Sequence, residues 1–71
     1  MALRWNETPS GTMNGSNLDF TLAATPATGS LLLILNGIQQ LSGTDYTLSG
    51  ATVTMTTAPE SSDWLRAYYE S

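Results

Sequence analysis

LLLILNGIQQLSGTDYTLSGATVTMTTAP, residues 31–59, is the stretch that decides the fold. Two strand pairs, each closed by a turn, follow one another, and the second sorts its side chains by face. Asn36-Gly37, directly after Leu-Leu-Leu-Ile-Leu, is a strong hairpin signal, because a two-residue type I′ turn needs positive φ at both central positions. Ser49-Gly50 offers a second turn. Read as a two-residue loop, it sets Leu48 opposite Ala51, Thr47 opposite Thr52 and Tyr46 opposite Val53. Tyr46, Leu48, Ala51, Val53 and Met55 then share one face, and Thr47, Thr52, Thr54 and Thr56 take the other.

Upstream of the first turn, both faces of the strand are apolar: Leu31, Leu33 and Leu35 on one, Leu32 and Ile34 on the other. The second face needs a cover, either the N-terminal arm folded over it or a neighbouring subunit. Ile38-Gln39-Gln40 returns along this strand, and Leu41 to Asp45 leads round to the second hairpin.

The rest of the chain extends the same pattern. Residues 1–6 read as an N-terminal arm or first strand, with Leu3 and Trp5 alternating with Arg4 and Asn6. Thr8-Pro9-Ser10-Gly11 and Asn14-Gly15-Ser16-Asn17 are turn-rich breaks that leave Thr12-Met13 as a short strand. Leu18, Phe20 and Leu22 alternate with Asp19 and Thr21, predicting a strand with three core residues. Ala23 to Ser30 and Glu60 to Asp63 are loops, and Trp64 to Glu70 is the last strand. No segment carries a 3.6-residue apolar period, so residues 7–71 are expected to form a single β domain. Its predicted form is all-β, a small antiparallel sandwich or open barrel of six to seven short strands without helix.

Composition limits what such a domain does. A chain of 71 residues buries only roughly 60% of the surface it exposes when unfolded, which makes an isolated core marginal. Neither cysteine nor histidine is present to supply a disulfide or a common metal site, so oligomerisation is the remaining way to add stability. Only 11% of residues are charged, the net charge is −4, and both cations are arginine, Arg4 and Arg66. Nucleic acid and anionic membranes both call for clustered Lys and Arg, so neither is an expected partner. Residues 1–7 lack the apolar run of a secretory signal, and Leu31 to Leu35 is too short to span a bilayer. The start at Met1 without a tag suggests a whole gene product made and used in the cytoplasm or assembled there.

Catalysis finds little support. Without His, Cys or Lys the usual bases and nucleophile activators are missing, leaving Glu7, Asp19, Asp45, Glu60, Asp63 and Glu70. A glycosidase pair of carboxylates needs a substrate cleft for which so short a chain has little room. None of the aspartates sits in a calcium-loop motif; Asp45 is expected to cap a turn and Asp63 to solubilise a loop. No catalytic, cofactor or metal residue is assigned.

Contact surfaces are better represented. If Leu65, Ala67 and Tyr69 face the core, Trp64, Arg66 and Tyr68 share the opposite face, and Trp, Arg and Tyr dominate interface hot spots. The alternative is that Trp64 folds over the sandwich edge while Arg66 pairs with a local carboxylate. Arg4 and Trp5 make a similar pair at the other end. Together with Leu32 and Ile34 these seven are the candidate interface residues. The chain also has no Lys and few charges to protect its edge strands, leaving edge pairing as a second route to assembly.

Several of these stretches together resemble a known family. Glu7 to Thr12, Asn14-Gly15-Ser16-Asn17 with Phe20-Thr21-Leu22, Leu35-Asn36-Gly37, Asp45 to Gly50, Thr52-Val53-Thr54 and Thr57-Ala58-Pro59 resemble a β-rich module recurrent in virion proteins of tailed bacteriophages. Trp64 to Tyr69 is similar to that module's closing strand. The resemblance implies a structural protein of the phage particle, located in the virion. A module standing nearly alone, with a short arm, looks like a small head decoration or cement subunit. That role implies a homo-oligomer at local three-fold positions with the major capsid protein as partner. A tail-tip or fibre-associated subunit among tail proteins, touching host glycans through exposed Trp and Tyr, and a binding module unrelated to virions both stay open.

Overall fold

Apolar residues at every second position carry the local structure, and a computed structural model describing residues 3–71 shows how they combine. Seven strands form: β1 (Leu3–Glu7), β2 (Asp19–Thr21), β3 (Leu32–Leu35), β4 (Ile38–Gln39), β5 (Tyr46–Ser49), β6 (Thr52–Met55) and β7 (Leu65–Glu70). There is no helix among the described residues. All ladders are antiparallel and make two sheets, β1-β7-β3-β4 and β2-β6-β5. Residues 1 and 2, the start of the predicted arm, lie outside the described residues.

The sheets face each other as a sandwich. Leu33, Leu65, Ala67 and Tyr69 from the four-stranded sheet meet Phe20, Tyr46, Val53 and Met55 from the other, with Leu22 beside them. Alternation is cleanest in β7, where Leu65, Ala67 and Tyr69 are buried and Arg66, Tyr68 and Glu70 are half-buried on the opposite side. Asn36 and Gly37 both have positive φ, 52° and 84°, as a type I′ turn between β3 and β4 requires.

Three local expectations are corrected. The second hairpin pairs Tyr46 with Met55, Leu48 with Val53 and Ser49 with Thr52, so its turn is Gly50-Ala51, not Ser49-Gly50. Gly50 at φ 59° takes the first central position of a type II′ turn, where glycine is favoured. The shift is of two residues, which leaves every strand residue on its expected face. Thr12-Met13 is not a strand. Asn14 accepts from the Ser16 and Asn17 amides, and Asn17 donates to the Thr12 and Asp19 carbonyls, so these side chains replace ladder partners and hold a loop. Leu18 stays exposed just before β2, leaving Phe20 and Leu22 as that segment's core residues.

The described part of the arm, Leu3 to Asn6, does not fold over the second face of β3. It pairs with β7 instead, with Arg4 opposite Tyr69 and Glu7 opposite Ala67, so one extra residue is accommodated between them. Asn6, in the left-handed region at φ 56°, makes that bulge. A bulge is one of the devices that blunt an edge strand.

The two faces of β3 make a direct stability prediction. Leu33 is fully buried and Leu32 is 38% exposed on the outer face. Leu33→Ala is expected to cost about 2–5 kcal/mol in urea unfolding of the isolated chain, whereas Leu32→Ala costs about 1 kcal/mol or less. Equal losses would contradict the assignment of faces.

Candidate interaction surface

The outer faces of the two sheets differ in chemistry. The three-stranded sheet turns Asp19, Thr21, Thr47, Ser49, Thr52 and Thr54 outward, a polar face of hydroxyls and one carboxylate. Asp19 accepts there from the Thr54 hydroxyl at 2.9 Å. The four-stranded sheet turns out Leu3 and Trp5 from β1, Arg66, Tyr68 and Glu70 from β7, Leu32 and Ile34 from β3, and Gln39 from β4. An apolar surface on a small domain is informative where the opposite face of the same molecule is polar.

At its centre, Trp5, Leu32, Ile34 and Tyr68 line one shallow, open depression. Strand order explains the grouping: β7 lies between β1 and β3, and Leu32 pairs directly with Tyr68 while Ile34 pairs with Arg66. Trp5 meets the Tyr68 ring edge-on, with centroids 4.9 Å apart and planes at 83°, yet stays 73% exposed. Tyr68 donates its hydroxyl hydrogen to the Asn6 side-chain oxygen at 3.1 Å, so the bulge residue fixes one side of the ring. An edge-on aromatic pair contributes about 0.5–1.5 kcal/mol beyond its buried area.

Trp64 and Arg66 extend this surface toward the β3–β4 turn. The Arg66 guanidinium lies 5.6 Å from the Trp64 ring centroid and also donates to the Leu65 carbonyl at 2.9 Å. Its local partner is thus an aromatic ring, a contact of about 0.5–1 kcal/mol at an exposed site. Trp64 precedes β7 and is held by Asn36, whose backbone N–H donates to the Trp64 carbonyl at 2.9 Å and whose side-chain oxygen accepts from the Trp64 N–H at 2.8 Å.

Six of the seven predicted interface residues therefore share one side of the sheet. Arg4 does not: it pairs opposite Tyr69, is half-buried, and donates from Nε to the Ser71 hydroxyl at 3.1 Å. Nearby, Tyr69 donates to Glu7 at 2.6 Å and accepts from the Ala24 N–H at 3.3 Å, while the other Glu7 oxygen accepts from Ala23 at 2.8 Å. Burial, then the Glu7 hydrogen bond, push the Tyr69 hydroxyl above its usual 10.0.

Asp63 has a role the sequence reading missed. It accepts from the Asn36 amide at 2.8 Å and from the Glu60 N–H at 2.9 Å, joining the 60–63 loop to the β3–β4 turn. These bonds, the Asn36 bond first, hold its carboxyl below the ordinary 3.8. Asp45 closes its own loop as expected, accepting from the Leu41 N–H at 2.8 Å. Among the described residues no three His, Cys, Asp or Glu side chains gather in a metal-binding group.

One further concavity, a cleft of about 380 Å³, lies where the 25–29 loop faces β5. Thr25, Thr28, Ser42 and Tyr46 contribute to its lining together with Leu31 and Leu48. No protein-family profile, curated protein or solved structure matches the chain.

The Asp63 latch gives a pH prediction. Because its carboxyl is depressed in the folded state, its contribution is complete above 3.8 and is lost as pH falls through the lower folded value. Wild type is expected to exceed Asp63→Asn in stability at neutral pH, with the gap closing under acid. A gap unchanged down to about pH 2 would contradict the latch.

Proposed function

We propose that this chain is a non-enzymatic structural subunit of a tailed-bacteriophage virion, a small decoration or cement protein that stabilises the head and makes its contacts with other copies through the outer face of β1-β7-β3-β4. The observation that carries the reading is the uncovered cluster of Trp5, Leu32, Ile34 and Tyr68 beside a cation held over Trp64. Trp, Tyr and Arg around an apolar centre are the composition of interface hot spots, and burying them supplies the stability a domain of this size lacks. The likeness of the turn and core segments to phage virion modules supplies the setting. In this role the partners are further copies of the chain and the major capsid protein, with no nucleic acid and no membrane.

A tail-tip or fibre-associated subunit is the second reading. The hydroxyl-lined cleft beside the 25–29 loop favours it, since convergent polar groups over apolar walls suit a glycan.

Quantitative mass spectrometry of purified virions tests the proposal. Copies near one per major capsid protein, or a simple fraction of that, are expected. A handful of copies would move the chain to the tail, and absence would overturn the virion reading. Trp5→Ala is expected to cost the isolated fold about 1 kcal/mol while strongly reducing the number of copies retained on particles. Retention at the wild-type level would contradict the use of this face.

A further inference from the structure

The same face is complementary to itself. Along β7 the outward residues run Arg66, Tyr68, Glu70: a cation, an aromatic and an anion at two-residue intervals. The charges lie four residues apart, about 13 Å along an extended strand, with Tyr68 midway. The outward residues of the flanking strands are Leu3, Trp5, Leu32, Ile34 and Gln39, none of them charged. Arg66 and Glu70 are thus the two charges that these strands present around the apolar centre.

We infer that a second copy of this chain stacks on this face, related by a two-fold axis that runs across β7 over Tyr68. The inference rests on the structural-subunit reading and gives the arrangement of the copies that meet at this face. The two-fold reverses the direction of β7 in the second copy, so Tyr68 lies over Tyr68 and Arg66 over Glu70 of the other chain. Both ion pairs form together, as an isologous contact requires. Trp5 and Leu32, level with Tyr68, fill the middle. A displacement by one further pair of residues would place Arg66 over Tyr68 and leave a carboxylate facing apolar side chains, so the charges fix the register. The arrangement also places one of only two cations in a chain of net charge −4 against an anion of its copy.

Area points the same way. A specific contact takes roughly 800 Å² from each partner, and a particle measuring 34 × 21 × 19 Å reaches that only by engaging most of one broad face. Stacking sheet on sheet does so, in the way two layers of a sandwich pack.

Sedimentation velocity of the full chain over a concentration series tests the inference. Wild type is expected to dimerise. Arg66→Glu and Glu70→Arg, each checked for folding by circular dichroism, should each raise the dimer dissociation constant about tenfold or more, since two like-charge contacts replace two ion pairs. An equimolar mixture of the two variants should recover association, because each then presents the charge that the other lacks. Glu70→Arg leaves the Arg66–Trp64 contact in place and stands alone if Arg66→Glu does not fold. A monomer throughout, a trimer as the smallest assembly, or a dimer insensitive to both reversals would overturn the inference. A chain abundant in virions yet monomeric in solution would overturn the stacking alone and leave the proposed function standing.

Discussion

Strand β7 is the constraint on which the rest depends. It lies between β1 and β3, and burial of Leu65, Ala67 and Tyr69 fixes which of its faces meets the second sheet. Inverting that face would carry Arg66 into an apolar core without a partner, at a cost far above that of exposing a tyrosine. The outward set of Arg66, Tyr68 and Glu70 is therefore a consequence of packing the inward set. What makes the core also makes the surface.

Two latches then set the limits of that surface. At one end Asn36 serves the β3–β4 turn, Trp64 and Asp63 together, so the Trp64–Arg66 pair is tied to a hairpin 27 residues upstream of Asp63. At the other end Glu7 joins Tyr69 to the 23–24 backbone, holding β1 beside β7 and with it Trp5 beside Tyr68. Both latches use polar side chains at sheet ends, where partners are not supplied by the ladders. In a chain with so few charges, hydrogen bonds of this kind do much of the positioning.

The sequence made the layers legible and the register less so. Period-two alternation assigned the β5, β6 and β7 strand residues to their faces, because side chains in a strand have no other choice. It could not separate a turn at Ser49-Gly50 from one at Gly50-Ala51, since a two-residue shift preserves every face. Leu18 had the right period but lies one residue before the strand begins. Thr12-Met13 was lost to Asn14 and Asn17, whose side chains compete with ladder bonding. Pairing of Trp5 with Tyr68 depends on β1 adding beside β7, a non-local choice that no local pattern encodes. The place of Arg4 followed from the same pairing, and the Asn36–Asp63 bond spans too much sequence to leave a signal.

The central claim is that the outer face of the four-stranded sheet is covered when the protein is at work. Hydroxyl-radical footprinting of the free chain against the chain incorporated in purified particles tests it most directly. Trp5 and Tyr68 should become protected, while Leu41 and Leu48, exposed but off this face, keep their reactivity. Unchanged reactivity at Trp5 and Tyr68, with protection at Leu41 or Leu48 instead, would contradict the account.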